Sequence, residues 1–252
     1  GWHSAHHLSD LESAADIGHR AGTRAVARLN PGKAPNGKLP VLLDPRVSGG
    51  IVGHLLGAIA GPAIARGTSF LLGKEEQMLF DSSIVIRDEP HRPRGLRSRA
   101  FDGEGLPTGA RDIVKDGRIT GWLLDNASAK QLGLTPTGHA SRGGGASGVG
   151  ASNLHLAAGS VAPAALMEGI ADGVYITELI GQGVNPVTGD YSRGASGFLI
   201  KDGALAGPIA EFTIAGNLID MFAALVPADD LEFRHGTNAP TLRIDGMTVA
   251  SS

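Results

Sequence analysis

Of the five Asp-Gly pairs in the chain, three follow directly on short runs of β-forming residues, at Asp116-Gly117, Asp202-Gly203 and Asp245-Gly246. Asp-Gly supplies two successive residues that accept positive φ, the backbone a tight two-residue hairpin demands, so the spacing predicts antiparallel pairing. Strands are expected over residues 84–87, 112–115, 118–124, 174–179, 197–200, 231–234 and 241–244. The 38 Gly and 14 Pro among 252 residues far exceed the usual combined share of roughly 12%, and they require many turns. With 42% hydrophobic residues, the chain is globular rather than disordered. The related strings 113–121 and 199–207 are read as two hairpins using the same turn chemistry rather than as a duplicated unit.

Helices fill the spaces between. Ser9 and Glu12 form a capping-box pattern ahead of apolar residues at three- to four-residue spacing up to Leu29, where Pro31-Gly32 ends the pattern. Short helices are expected at 126–132, opened by Asn126 and stopped by Gly133, at 163–170 and at 217–225. A buried strand at 39–43 leads into an uncharged stretch, 47–65, with Gly49, Gly53, Gly57 and Gly61 at every fourth position. In a long apolar segment such a ladder pairs transmembrane helices; Ser48, His54, Pro62 and five glycines make this one too polar for a lone span. It predicts a soluble helix capped by Ser48 whose glycine stripe is pressed against another element. The fold class is therefore α+β: a large, mostly antiparallel β-sheet domain with several short helices, preceded by an N-terminal helix.

Chemistry is harder to place. A net charge of −3 gives no basic field for nucleic acid, and the absence of Cys removes disulfides, thiol nucleophiles and thiolate metal sites. Neither a Gly-x-Ser-x-Gly elbow nor His-Glu-x-x-His occurs. His3, His6 and His7 lack a carboxylate to complete a metal sphere. Asp88-Glu89-Pro90-His91 reads as a salt-bridged loop among Arg87, Arg92 and Arg94, Phe101-Asp-Gly-Glu-Gly105 as a turn, and the stretch 142–150 as a Gly-rich loop without the strand-before, helix-after context of a phosphate cradle. Glu178 sits where a strand of mixed character, Val174, Tyr175, Ile176, Thr177 and Glu178, runs into a polar turn. The chain opens at Gly1 with no basic-then-apolar leader, which leads us to expect a cytoplasmic protein or a fragment of one.

The string Gly181-Gln-Gly-Val-Asn-Pro-Val-Thr-Gly-Asp-Tyr-Ser-Arg-Gly-Ala-Ser-Gly197, followed by Phe212-Thr-Ile-Ala-Gly-Asn-Leu218, resembles the C-terminal half of the TldD/PmbA family. Arg66-Gly-Thr-Ser-Phe70, Phe101 to Gly105 and the terminal 240–250 stretch are similar too, and the PmbA branch, also called TldE or modulator of DNA gyrase, fits best. The resemblance implies a helix and linker over 1–36, the tail of a preceding domain, and a C-terminal β-rich domain over 37–252. It also implies a cytoplasmic zinc metallopeptidase system of two related subunits that trims small unfolded peptides. In the zinc-bearing subunit a helix carries His-Glu-x-x-x-His and a later Cys completes the site. Here those positions read Gly49, Gly50 and His54, and no Cys exists.

The resemblance thus implies a chain without catalytic residues or metal of its own, with zinc in a TldD-type paralogue that pairs with it as a heterodimer, or a homodimer when it is alone. Peptide substrates are expected to bind as an added strand at Val174, Tyr175, Ile176, Thr177 and Glu178, and neither nucleic acid nor membrane is an expected partner. The alternatives are an independent peptidase using a different site, around Glu178 and His54, and a non-enzymatic gyrase-associated regulator.

Overall fold

The computed structural model describes residues 1–143 and 148–251. A short 3-10 turn, Leu8–Asp10, precedes α1 (Ala14–Ala27), β1 (Gly37–Leu43), α2 (Pro45–Ala58), α3 (Gly61–Ala65), β2 (Ile86–Asp88), β3 (Arg111–Lys115) and β4 (Arg118–Ile119). The middle of the chain holds α4 (Asn126–Leu132), β5 (Ala140–Ser141), β6 (Gly148–Val149), β7 (Leu154–Leu156) and α5 (Pro163–Met167). Three long strands follow, β8 (Asp172–Ile180), β9 (Asp190–Lys201) and β10 (Ala204–Asn217), and the last elements are α6 (Leu218–Ala223), β11 (Leu225–Pro227), β12 (Thr237–Asn238) and β13 (Leu242–Ser251). The α+β class with an N-terminal helix is what the chain adopts.

Two of these three strand-following Asp-Gly pairs turn hairpins. Asp116 and Gly117 (φ 50° and 73°) join β3 to β4, and Asp202 and Gly203 (φ 48° and 80°) join β9 to β10. These hairpins belong to different sheets, so the repeated string is shared turn chemistry. The third pair does not turn. It lies inside β13, where Leu39 faces Met247 but Val41 faces Ile244, leaving Asp245 and Gly246 opposite Pro40 alone. Pro40 has no N–H to give the ladder, and a bulge with Gly246 at φ 79° absorbs the mismatch.

The larger sheet closes on itself. β1 pairs in parallel with β8 (Val41 with Val174) and antiparallel with β13, while β8, β9, β10 and β13 are joined in that order by antiparallel ladders. β11 adds to β13. Val41, Leu42 and Leu43 are fully buried, as strand residues flanked on both sides should be. A second sheet, β12-β7-β2-β3-β4, stands beside it. α2 packs against β1 and β8 of the first and against β7 and β12 of the second, and so ties the two together.

Local cues move several boundaries. α1 begins at Ala14 because Ser13, not Ser9, accepts the Asp16 N–H (3.0 Å); Glu12 is engaged by Arg20 and Arg234. α2 is capped by Asp44, which accepts the Arg46 N–H with Pro45 at the first helical position, whereas Ser48 is buried inside the helix and donates to the Ala239 carbonyl (3.1 Å). α4 spans 126–132 and ends at Gly133 in the left-handed region, its cap being Asp125. α5 stops at Met167, two residues before Gly169 turns the chain. Residues 231–234 form no strand: the Arg234 and His235 N–H groups both donate to the Asn238 side chain, bending the backbone away from any ladder. Trp122 to Leu124 leave β4 at Gly121 (φ 122°) and bond instead to the turn between α2 and α3, through Leu123 N–H to the Ile59 carbonyl (3.0 Å).

The glycine ladder faces the other way from expectation. Ser48, Ile51, Val52, Leu55 and Ala58 form the buried side of α2, while Gly50, Gly53 and Gly57 are exposed and a Cβ at any of them would meet nothing within 4 Å. Only the ends of the ladder are close-packed. A Cβ on Gly49 would come 3.3 Å from the Thr237 carbonyl oxygen, and one on Gly61 would come 2.8 Å from that of Leu123. The hydrophobic residues between the glycines, not the glycines, pull this helix into the core. Of the Gly-rich loop at 142–150, residues 144–147 lie outside the described residues.

Candidate functional site

α2 places Gly49, Gly50 and His54 on its first turns. His54 is half-buried with its ring edge-on to Tyr191 of β9 at 5.7 Å. Burial first, and the nearby Arg193 guanidinium second, hold its pKa below the ordinary imidazole value, so it is neutral at physiological pH. Tyr191 is buried too, its hydroxyl pushed up to about 12 by burial. A catalytic zinc needs three protein ligands and an open position for water. Here the donor set is one imidazole, with glycine at the two neighbouring motif positions and a guanidinium rather than a carboxylate beside it. These residues do not fit a zinc ion, since Arg193 repels the cation that His54 would have to hold. Among the described residues no group of three His, Asp or Glu side chains converges on one point; His3 accepts the Glu12 N–H, and His6 contacts the Leu96 carbonyl.

The predicted strand segment divides into two parts. Val174, Tyr175 and Ile176 are paired on both edges, with β1 on one side and β9 on the other. From Thr177 onward β1 has ended; the Asp44 N–H makes the last bond, to the Ile176 carbonyl (3.0 Å). Residues 177–180 therefore keep β9 on one edge while the other has no strand partner among the described residues.

Glu178 projects from this half-paired stretch and is held by Arg28 of the segment after α1; Arg28 also donates to Ser196 (2.5 Å), and the Ser196 hydroxyl donates to Glu178 (3.2 Å). The Arg28 hydrogen bond keeps the Glu178 carboxyl below its usual range. A carboxylate so stabilised is a poor general base near neutral pH, and among the described residues no contact joins Glu178 to His54.

Around Glu178 opens a cavity of about 700 Å³ lined by five arginines, Arg20, Arg24 and Arg28 from α1 and the residue that caps its C-terminus, Arg46 from the first turn of α2, and Arg234, against two carboxylates, Glu178 and Glu232. Sequence reading passed over this cluster, although Arg20, Arg24 and Arg28 recur at four-residue spacing and so mark one helix face. Arg46 and Arg234 could join them only through the tertiary fold. Asp44 grips Arg46 through two bonds (2.7 and 2.9 Å) and accepts the Tyr175 hydroxyl (3.1 Å). Burial works to raise the Asp44 pKa, but the Arg46 hydrogen bonds outweigh it and the carboxyl stays ionised.

A second arrangement missed in the sequence is structural. Asp88, His139 and Thr137 follow one another like a proton relay, with His139 at 3.5 Å from Asp88 and 2.9 Å from Thr137. Asp88 is occupied by the Ser152 N–H (2.9 Å), and Thr137 accepts the Leu124 N–H (2.8 Å), so the hydroxyl is a backbone staple rather than a nucleophile. The loop after Asp88 is salt-bridged as expected, Arg92 donating to Glu89 (2.9 Å), and the turn at Asp102 is closed by N–H groups of Glu104 and Leu106. No helix among the described residues is long and apolar enough to cross a membrane.

Comparison with known proteins places these features in a family. The PmbA/TldA metallopeptidase C-terminal domain matches residues 36–251. Metalloprotease PmbA of Escherichia coli O157:H7 is 38% identical over 244 residues, 96% of this chain and 52% of that protein. Among solved structures, a modulator of DNA gyrase from Bacteroides thetaiotaomicron superposes with a TM-score of 0.89 at 29% identity, over 99% of this chain and 55% of that one. TldE from Thermococcus kodakarensis superposes with a TM-score of 0.83 at 25% identity, over 94% and 55%. The chain thus spans about half the length of the relatives it matches.

Proposed function

Because the chain belongs to the PmbA/TldD metallopeptidase family, through its C-terminal domain, we propose that it is the zinc-less partner subunit of a cytoplasmic peptide-hydrolysing complex. It pairs with a zinc-bearing TldD-type paralogue and contributes walls of the substrate cavity. The observation that carries this reading is the motif face of α2, where two glycines and a neutral His54 beside Arg193 stand where a metal site would need two ligands, a base and negative surroundings.

Peptide substrate would add to the half-paired end of β8, at residues 177–180, through main-chain hydrogen bonds that ignore side-chain identity. That suits a system acting on varied unfolded peptides. The test is reconstitution: the full-length protein alone should leave peptides intact, and mixing it with its His-Glu-x-x-x-His paralogue should produce cleavage that depends on both chains. Cleavage by the paralogue at full rate without this chain would refute the partner role. Hydrogen exchange with bound peptide should protect residues 177–180; protection confined to the helices would refute that placement.

A further inference from the structure

We propose that the arginine-walled cavity between α1, the start of α2 and the free end of β8 is a binding site for the terminal carboxylate of a peptide. The inference rests on the reading that this chain handles peptides, and it assigns a group to a place that reading leaves open.

The cavity combines four preset guanidiniums with a fifth that has nothing to hold. Arg20 is fixed by Glu12 (2.6 Å), Arg234 by Glu12 (2.8 Å) and Glu232 (2.5 Å), Arg46 by Asp44, and Arg28 by Glu178 and Ser196. A guanidinium has five N–H donors, and the partners named leave each of these four with donors to spare. Arg24 lies between them on the same helix face and makes no hydrogen bond or ion pair among the described residues, although it lines the same cavity. Partial desolvation in the cavity, then repulsion from Arg46, lowers its pKa although the side chain stays exposed. Like charges four residues apart on a helix repel one another, so stacking Arg20, Arg24 and Arg28 on one face has a cost that a bound anion would offset.

The geometry selects the anion. Planar guanidiniums match carboxylate and phosphate in forked pairs, and the excess of five arginines over Glu178 and Glu232 in the cavity lining favours an anion there. The unpaired edge of β8 runs into this cavity at Glu178, so a peptide laid along residues 177–180 would end its ladder beside Arg24 and Arg28. The anion that every peptide carries at the end of its backbone is its own carboxylate. Arg24 supplies the free fork, and the anchored arginines hold the potential around it.

The experiment compares one short peptide in two forms, free acid and C-terminal amide, binding to the full-length protein, with inorganic phosphate as a third ligand. The acid should bind about tenfold more tightly than the amide, the scale of one charge-assisted hydrogen-bonded pair. In Arg24→Gln, whose melting temperature should match wild type because the side chain is exposed, the acid-to-amide ratio should fall to near one. Equal binding of the two forms to wild type, or an acid preference that survives Arg24→Gln, would overturn the proposal. Phosphate binding that depends on Arg24 without any acid preference for peptide would overturn the carboxylate assignment. None of these readouts involves cleavage, so an acid preference in a protein that fails reconstitution would reject the partner-subunit reading and leave this site standing.

Discussion

Glycines on α2 and glycines along the β8–β9 hairpin occupy opposite environments. On α2, Gly50, Gly53 and Gly57 look outward into open space. In the hairpin, a Cβ on Gly197 would lie 1.9 Å from the Tyr175 carbonyl oxygen, and one on Gly183 would lie 1.5 Å from that of Ser192. Gly197 allows two backbones to approach where β8 slips register between Ile176 and Glu178, and Gly183 does so against Ser192 in the connection between β8 and β9. Gly50, Gly53 and Gly57 on α2 are not required by any contact among the described residues. Spacing alone therefore says little about what a glycine is for; its neighbours in space decide.

Breaking the closely packed side of this contrast should have the largest effect. Gly197→Ala forces its methyl into a carbonyl that the β1–β8–β9 pairing holds in place, and we expect a loss of about 3 kcal/mol, read as a large drop in denaturation midpoint. A near-neutral result would mean that the hairpin opens freely. On the other side, Gly53→Ala should stabilise the protein by up to about 1 kcal/mol, because the methyl meets nothing and helix propensity improves. A loss of stability there would show that the outward face is packed after all.

The smallest expected effect concerns the pair at the free end of β8. Glu178 has its pKa lowered from 4.5 by Arg28, so it stabilises the fold at pH values above 4.5 and loses that contribution as pH falls through the lowered value. Both side chains are over a third exposed (36% and 49%), which limits the effect of Glu178→Gln at pH 7 to about 0.5 kcal/mol. Unfolding curves of the two proteins should differ slightly at pH 7 and converge in acid. A gap that widens in acid would reverse the assignment.

The sequence showed local structure well and long-range structure poorly, for a common reason. Asp116-Gly117 and Asp202-Gly203 carry their turn geometry within two residues, and the 126–132 helix carries its stop in Gly133. Asp245-Gly246 has the same letters, yet it faces Pro40 across a ladder between chain ends, and only that partner makes it a bulge. Closure of the sheet through β1 and β13, the outward turn of the α2 glycines and the gathering of Arg46 and Arg234 around the α1 arginines all depend on contacts remote in sequence. At the candidate site, the motif positions Gly49, Gly50 and His54 were legible. The Arg193 neighbour that makes His54 hostile to a cation was not.

The central claim is that this chain holds no catalytic metal, and metal analysis of the purified full-length protein tests it most directly. After incubation with zinc and removal of the excess, the account predicts far less than one zinc per chain and no peptide cleavage, with Gly49→His and Gly50→Glu together failing to restore either, since a third ligand is still missing. One tightly bound zinc per chain, together with cleavage abolished by a chelator in the absence of any paralogue, would contradict it.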